Sequence, residues 1–338
     1  MINRKILYIG NKLSKHGSSI TVMETLGDLL ANEGFTVSYA SSKKNIILRF
    51  LDMIFTLIYY SKSIDYVIID TYSTLNFWYA FFVSQLCRLF KLKYITILHG
   101  GNLNNRIKNN SKLCNLIFNN AHRIVAPSGY LFNAFKVNYS KGLVSIPNTI
   151  EIEKYDFYPR EMQVPKLLWV RSFSPIYNPK MAIQVLVELQ KEYPTAELTM
   201  VGPDANDYRK ECELLASKLK VKVAFTGKLS KTEWISLSNK HNVFINTSNF
   251  DNMPVSVIEA MALGLPIIST NVGGIPFLIS DQKEGVLVNE NDYIEMNLVI
   301  KKLFLNQDFT TTLITNARKK VESYDWQIIK LQWLEMLM

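Results

Sequence analysis

The chain is 338 residues long, 48% apolar and 12% aromatic, with 38 Lys+Arg against 29 Asp+Glu and a formal net charge of +9. At roughly 150 residues per domain this amounts to about two domains, each with enough apolar material for its own core, so a disordered or fibrous chain is excluded. Cys87, Cys114 and Cys212 share no paired spacing, which argues against a disulfide framework and a zinc site and fits a reducing compartment.

The charge is uneven. Residues 1–150 hold 17 Lys+Arg against 6 Asp+Glu, net +11, and the remainder 21 against 23, net −2. That asymmetry points to an anionic surface or ligand. The basic residues are scattered and carry no nucleic-acid motif, so nucleic acid is not the expected partner. The opening "MINRKILYIGNKL" reads as a short strand running into polar residues rather than as a secretion signal. No apolar run reaches the roughly eighteen residues of a spanning helix, and a cytoplasmic protein is expected.

In chain order, "KILYIG", "FTVSYA", "DYVIID", "KYITILHG", "HRIVAPS" and "GLVSIPN" read as strands separated by helices or loops. After the polar stretch "EIEKYDFYPREMQVP" a second series follows: "KLLWVRS", "AELTMVGP", "VKVAFTG", "HNVFINTS", "LPIIST" and "EGVLVN". This alternation predicts an α/β chain of two doubly wound, Rossmann-like domains, hinged near residues 151–165. The last segment, "SYDWQIIKLQWLEMLM", is an amphipathic helix with Trp326, Ile329, Trp333 and Leu334 near one side. Ligands of such sheets bind beyond the carboxyl ends of the strands, so two domains face to face are expected to share an interdomain cleft.

The first such loop contains Gly17-Ser18-Ser19 ahead of a helix with apolar Ile20, Val22, Met23, Leu26, Leu29 and Leu30, stopping at Gly34. It is either an ordinary turn with a Ser cap or a small-residue turn whose backbone N–H groups meet a phosphate. The segment from Lys43 to Lys62 sets Ile47, Phe50, Ile54, Leu57 and Ile58 on one side and Arg49, Asp52 and Thr56 on the other. A helix packed on the sheet and a helix lying on an anionic membrane both explain that pattern. His99, followed by Gly100-Gly101, stands at a strand's carboxyl end, where it is either structural or set against a ligand.

In the second domain, Arg171 ends the first strand and Lys180 opens the following helix. Two cations at one strand-to-helix junction suit a diphosphate, although solvated surface cations explain them too. In "FDNMPVSVIEAMALGLPIIST", Asp251 and Asn252 suit a cap, Pro254 a first helical turn and Gly264 a stop, which predicts a helix of about ten residues. Glu259 lies inside its apolar run. A buried carboxylate must be paired, hydrogen-bonded or reserved for a ligand. One reading makes Asp251 a cap and Glu259 the partner of an internal Arg or Lys. The other has both carboxylates flank an anion-friendly helix end, which suits a ligand with hydroxyls at both ends and phosphates between, such as a sugar nucleotide.

At these residues the chain resembles glycosyltransferase family 4, retaining enzymes of the GT-B fold, whose hallmark is a Glu, seven residues, then a second Glu; here "DNMPVSVIEAMALGLPIIST" has Asp251 in the first place and Glu259 in the second. "ILHGG", "IPNTIEIEKY", "WVRSFSPIYNPKMAI", "ELTMVGP", "TNVGGIPFLI" and "EGVLVNEND" resemble the family pattern in the right order. The resemblance implies an N-terminal acceptor-side domain over 1–162, a nucleotide-sugar domain over 163–322, and a last helix, 323–338, crossing back onto the first. It also implies that Glu259 holds the ribose hydroxyls, while Asp251, with the backbone of Asn252, Met253 and Pro254, holds the donor sugar. Arg171 and Lys180 would bind the diphosphate, helped by Gly17 and Ser18, and His99 would line the sugar. Departures are Gly17-Ser18 for Gly-Gly, Asn148-Thr149 for Asn-Gly, and Asp251 for Glu, which bears on the donor's identity more than on the reaction.

The activity so implied is retaining transfer of a hexose-type sugar from a UDP- or GDP-sugar to a saccharide or lipid-linked saccharide, in cell-surface polysaccharide synthesis at the inner face of the plasma membrane. The chain holds no Asp-x-Asp pair, so a metal held in that way is not indicated; the resemblance implies no cofactor beyond the donor substrate. Two alternatives stand beside this reading: a sugar-nucleotide epimerase of the same fold, and a non-catalytic sugar-nucleotide or membrane-binding partner.

Overall fold

A computed structural model of the chain describes residues 4–17, 20–100, 102–204 and 207–338. It divides into two units: residues up to Thr149 together with Trp326–Met338, and Ile150–Asp325. The sequence-based boundaries fall at 162/163 and 322/323.

The first unit is built on β1 (Lys5–Ile9), β2 (Thr36–Ala40), β3 (Tyr66–Thr71), β4 (Lys93–Leu98), β5 (Arg123–Ala126) and β6 (Leu143–Ser145). These form one sheet in the order β2-β1-β3-β4-β5-β6 with every pairing parallel; Ile6 stands opposite Val37 on one side and Tyr66 on the other. Both faces are covered, which is why the strands read as near-continuous apolar runs. Alternation sorts β1 between the two cores. Ile6 and Tyr8 pack with Leu26 and Leu30 of helix Val22–Asn32 and with Ile329 and Trp333 of the last helix, Trp326–Leu337. Leu7 and Ile9 pack with Met53, Leu57 and Val83 from helices Ile46–Tyr60 and Phe77–Leu89.

The second unit repeats the plan with β7 (Lys166–Val170), β8 (Glu197–Val201), β9 (Val223–Gly227), β10 (Val243–Asn246), β11 (Ile267–Thr270) and β12 (Val286–Val288), in the parallel order β12-β11-β10-β7-β8-β9. Leu167, Trp169, Val243 and Ile245 point to one core, Leu168 and Phe244 to the other. The fold is therefore two doubly wound parallel sheets, and all twelve expected strand segments are strands.

Two helices depart from expectation. The first begins at Val22, with Thr21 at its entrance and the Glu24 carboxylate accepting the Thr21 N–H at 3.1 Å, so Gly17 ends a separate turn (Ser14–His16) instead of opening the helix. In helix Ile46–Tyr60 the inward stripe is Arg49, Phe50, Met53, Ile54 and Leu57. Arg49 is buried because its Nη1 donates to the carbonyls of Lys43 and Lys44, at 2.9 and 3.0 Å. Ile47 and Ile58, which the sequence pattern groups with Phe50, Ile54 and Leu57, point outward with Leu48, Leu51, Phe55 and Tyr59. The helix thus carries two apolar faces, one in the core and one in solvent. Among the described residues no helix is long and apolar enough to cross a membrane.

Candidate functional site

In a sheet ordered β12-β11-β10-β7-β8-β9 the chain leaves β7 toward one edge and β10 toward the other, so the ligand crevice of such a fold opens between the carboxyl ends of β7 and β10. Those ends are polar and buried: Asn246 ends β10 and Thr247 and Ser248 follow it, and Ser269 and Thr270 end β11. Arg171 leaves β7 at the same place. Its guanidinium lies 4.3 Å from the Tyr177 ring and its Nη2 donates to Asp251 Oδ2. Burial alone would lower the Arg171 pKa, but the Asp251 carboxylate outweighs it and raises it, so the cation is secured. Arg171 Nε is buried without a hydrogen-bond partner among the described residues. Gly202, just after β8, allows the close approach: a Cβ there would lie 1.8 Å from the Arg171 carbonyl oxygen.

Asp251 does not cap the following helix. Its Oδ1 accepts the Asn252 N–H at 3.0 Å, and the helix, Val255–Ala262, opens at Pro254 with no side-chain cap. Asn252, Met253 and Pro254 are buried, and Ser256 Oγ on the first turn is buried without a partner. An uncapped helix start offers N–H groups and a positive dipole end to an anion. Glu259, 4% exposed, sits inside that helix. Its Oε1 accepts from Tyr155 OH at 2.8 Å and meets Lys231 Nζ at 2.8 Å. The buried carboxylate is thus paired and hydrogen-bonded in the free protein. Lys231 is 39% exposed, so the pair is open to water on its cationic side. Burial, and then Glu259, push the Tyr155 hydroxyl far above its ordinary pKa, fixing it as a donor.

Lys180 occupies the second position of helix Pro179–Leu189, as the sequence suggests, but its Nζ pairs with Glu211 at 2.6 Å and lies 4.9 Å from the Tyr208 ring. Arg171 and Asp251 are in contact, Glu259 has its own partners, and Lys180 belongs to a third cluster. Among the described residues no three His, Cys, Asp or Glu side chains gather as metal ligands would.

In the first unit the order β2-β1-β3 places the switch between β1 and β3. Asp70, fully buried on β3, accepts from Tyr8 OH at 3.1 Å and lies 2.8 Å from His99 Nε2. Facing a carboxylate, Nε2 carries its proton, which leaves Nδ1 as the ring nitrogen for a ligand. Tyr72 stacks on the imidazole at 4.9 Å. Gly17 is described, with φ +91° and open space where a Cβ would stand; Ser18 lies outside the described residues.

Sequence reasoning missed Tyr155, Tyr177, Lys231 and Asp70. The capping box of Ser230 and Glu233, visible in "SKTE", marks the helix that carries Lys231, and Asp70 ends a strand, where ligands gather. Nothing in the sequence signals the pairing of Tyr155 with a residue 104 positions away.

Fold and site together define a class: a doubly wound α/β protein whose second unit carries a fixed arginine and an uncapped helix start at its switch point. The family model described as "Glycosyl transferases group 1" matches residues 152–320, half of the chain, and the chain belongs to that family. Over 149 residues (43% of the chain) it is 26% identical to sulfoquinovosyl transferase SQD2 of Arabidopsis thaliana, 28% of whose length is covered. The chain spans 28% to 45% of the length of this and three other curated relatives. Its fold is that of sucrose-phosphate synthase from Thermosynechococcus elongatus (TM-score 0.82, 18% identity, 98% of each chain). It is also that of HepE from Anabaena solved with UDP and glucose (TM-score 0.78, 17% identity, 99% of each chain). This is the GT-B fold.

Proposed function

We propose that the protein is a retaining glycosyltransferase of family 4, transferring a hexose-type sugar from a UDP- or GDP-sugar to a saccharide or lipid-linked saccharide in cell-surface polysaccharide synthesis. The observation that carries the reading is Arg171: a partly buried guanidinium at the switch point of the family-matched unit, held by Asp251 and Tyr177 with its buried Nε unspent. A planar fork so fixed suits a diphosphate. The N–H groups that open helix Val255–Ala262 add to the positive field there. In this reading Glu259 accepts from ribose hydroxyls, exchanging its open contact with Lys231 for them, and the backbone of Asn252 to Pro254 meets the sugar. At the switch point of the first unit, His99 keeps Nδ1 for a sugar hydroxyl.

In the transfer the bond between the sugar's C1 and the phosphate oxygen breaks while the acceptor oxygen bonds to C1 on the same face. The leaving phosphate takes the acceptor's proton. Arg171 and the helix end stabilise the charge that develops on the diphosphate. Near HepE in fold, UDP-glucose is the first donor to try. The test is incubation with UDP- and GDP-hexoses and saccharide acceptors, reading nucleoside diphosphate release and the anomeric configuration of the product by NMR. Acceptor-dependent release with retained configuration is the expected result; interconversion of sugars without release would instead make it an epimerase.

The outward apolar face of helix Ile46–Tyr60 supports a second element, peripheral contact with an anionic membrane. The neighbouring helix Phe77–Leu89 adds exposed Trp78 and Phe82, with Phe82 in edge contact with Phe50. Lys43, Lys44 and Lys62 flank this face, and residues 1–150 carry the net +11. Such contact would bring a lipid-linked acceptor to the enzyme.

A further inference from the structure

Asp251 holds the place at which the family resemblance puts a sugar-binding carboxylate, yet its oxygens are already engaged. Oδ2 takes Arg171 Nη2 and lies 3.2 Å from Ser248 Oγ; Oδ1 accepts the Asn252 N–H at 3.0 Å. Ser248 has one proton to share between Asp251 and Asn246 Oδ1, 2.9 Å away, so the charged partner of Asp251 is Arg171. The main chain that carries the carboxylate is fixed. The Asp251 carbonyl accepts from Gly274 N at 2.9 Å, and a Cβ on Gly273 would lie 2.2 Å from that same oxygen. Asp251 is 9% exposed, and with one methylene fewer than Glu its oxygens stay within the loop that holds Arg171.

Resting on the donor-site reading above, we infer that Asp251 is a positioning residue: it fixes the Arg171 guanidinium for the nucleotide's diphosphate and does not bind the sugar. Arg171 is held on one edge by Asp251 and on its face by Tyr177, which leaves Nε directed by two constraints. Recognition of the sugar then falls to other groups, and the Asp in place of Glu changes phosphate positioning before it changes sugar choice.

Titration calorimetry separates the two roles, because UDP and GDP carry the diphosphate without the sugar while UDP-glucose and GDP-mannose carry both. Asp251→Asn is expected to change the Kd of the free diphosphate and of its sugar conjugate by the same factor, of about tenfold or more for loss of a buried charge partner. The ratio of the two stays within about twofold. In an Arg171→Ala background the same substitution is expected to have no further effect on UDP or GDP. A loss confined to the sugar conjugates, or no change in either, overturns the inference. Asp251→Glu guards against a folding defect in the Asn variant. Positioning predicts a parallel change in both members of a pair, whereas a selective gain for the sugar conjugate contradicts it. If the wild-type protein binds none of the four nucleotides, the donor-site reading fails and this inference with it.

Discussion

The outward face of helix Ile46–Tyr60 offers a sharp perturbation, because its apolar side chains hold nothing in the fold. Ile47 is 66% exposed and Phe55 64% exposed. Replacing both by Gln keeps good helix formers on the surface and is expected to change folding stability by no more than about 0.5 kcal/mol per site. Full burial of an Ile or Phe side chain contributes about 1.5–3 kcal/mol, so seating the exposed two-thirds in the lipid interface contributes about 1–2 kcal/mol each. The double variant should then lose about 2–4 kcal/mol of membrane affinity, roughly 30- to 1,000-fold in partition. Co-sedimentation with vesicles containing phosphatidylserine, against phosphatidylcholine alone, reads this directly. Binding should also weaken with salt, as the lysines flanking the helix are screened. Equal partition of wild type and variant, or wild-type protein left in the supernatant with anionic vesicles, would refute the reasoning.

Gly274→Ala places a Cβ 2.0 Å from the Asn252 carbonyl oxygen at an ordinary φ, so its effect is purely steric; overpacking of about 1–3 kcal/mol should appear as a lower Tm together with weaker nucleotide binding. An unchanged Tm would show that the loop gives way freely. Tyr155→Phe removes the hydroxyl that donates to Glu259, and denaturant unfolding should show a loss of about 1–3 kcal/mol. No loss would mean that Lys231 alone satisfies the carboxylate. Burial pushes the thiols of Cys87 and Cys212 up to about 12 and that of Cys114 up to about 11. At pH 8, below all three values, thiolate is a fraction of roughly one in a thousand or less, so an Ellman assay should find no fast thiol in the native protein and all three after denaturation. A native thiol reacting at the rate of free cysteine would contradict the buried placement.

The strands were legible because both faces of each sheet are buried, so their centres, such as "YVII" and "VFI", are apolar without a break. The helix around Glu259 was legible from Pro254 and Gly264, which bracket it. Its partners were not, since Tyr155 and Lys231 reach it only through tertiary packing. Lys180 stands nine residues from Arg171 and reads as its companion, yet the helix it opens carries its side chain to Glu211. In helix Ile46–Tyr60 periodicity cannot choose the inward side when both sides are apolar, and Arg49 is taken inward by two backbone carbonyls that no pattern announces. The start of the first helix could have been read: Thr21 and Glu24 form a capping box, a stronger signal than the glycine before it.

The central claim is that Arg171 and Glu259 form a nucleotide-sugar site. Titration of UDP-glucose and GDP-mannose into the wild-type, Arg171→Ala and Glu259→Gln proteins tests it most directly. The account predicts one saturable site for one of the two donors, weakened by about tenfold or more in each variant. Binding of neither donor, or equal affinity in all three proteins, would contradict it.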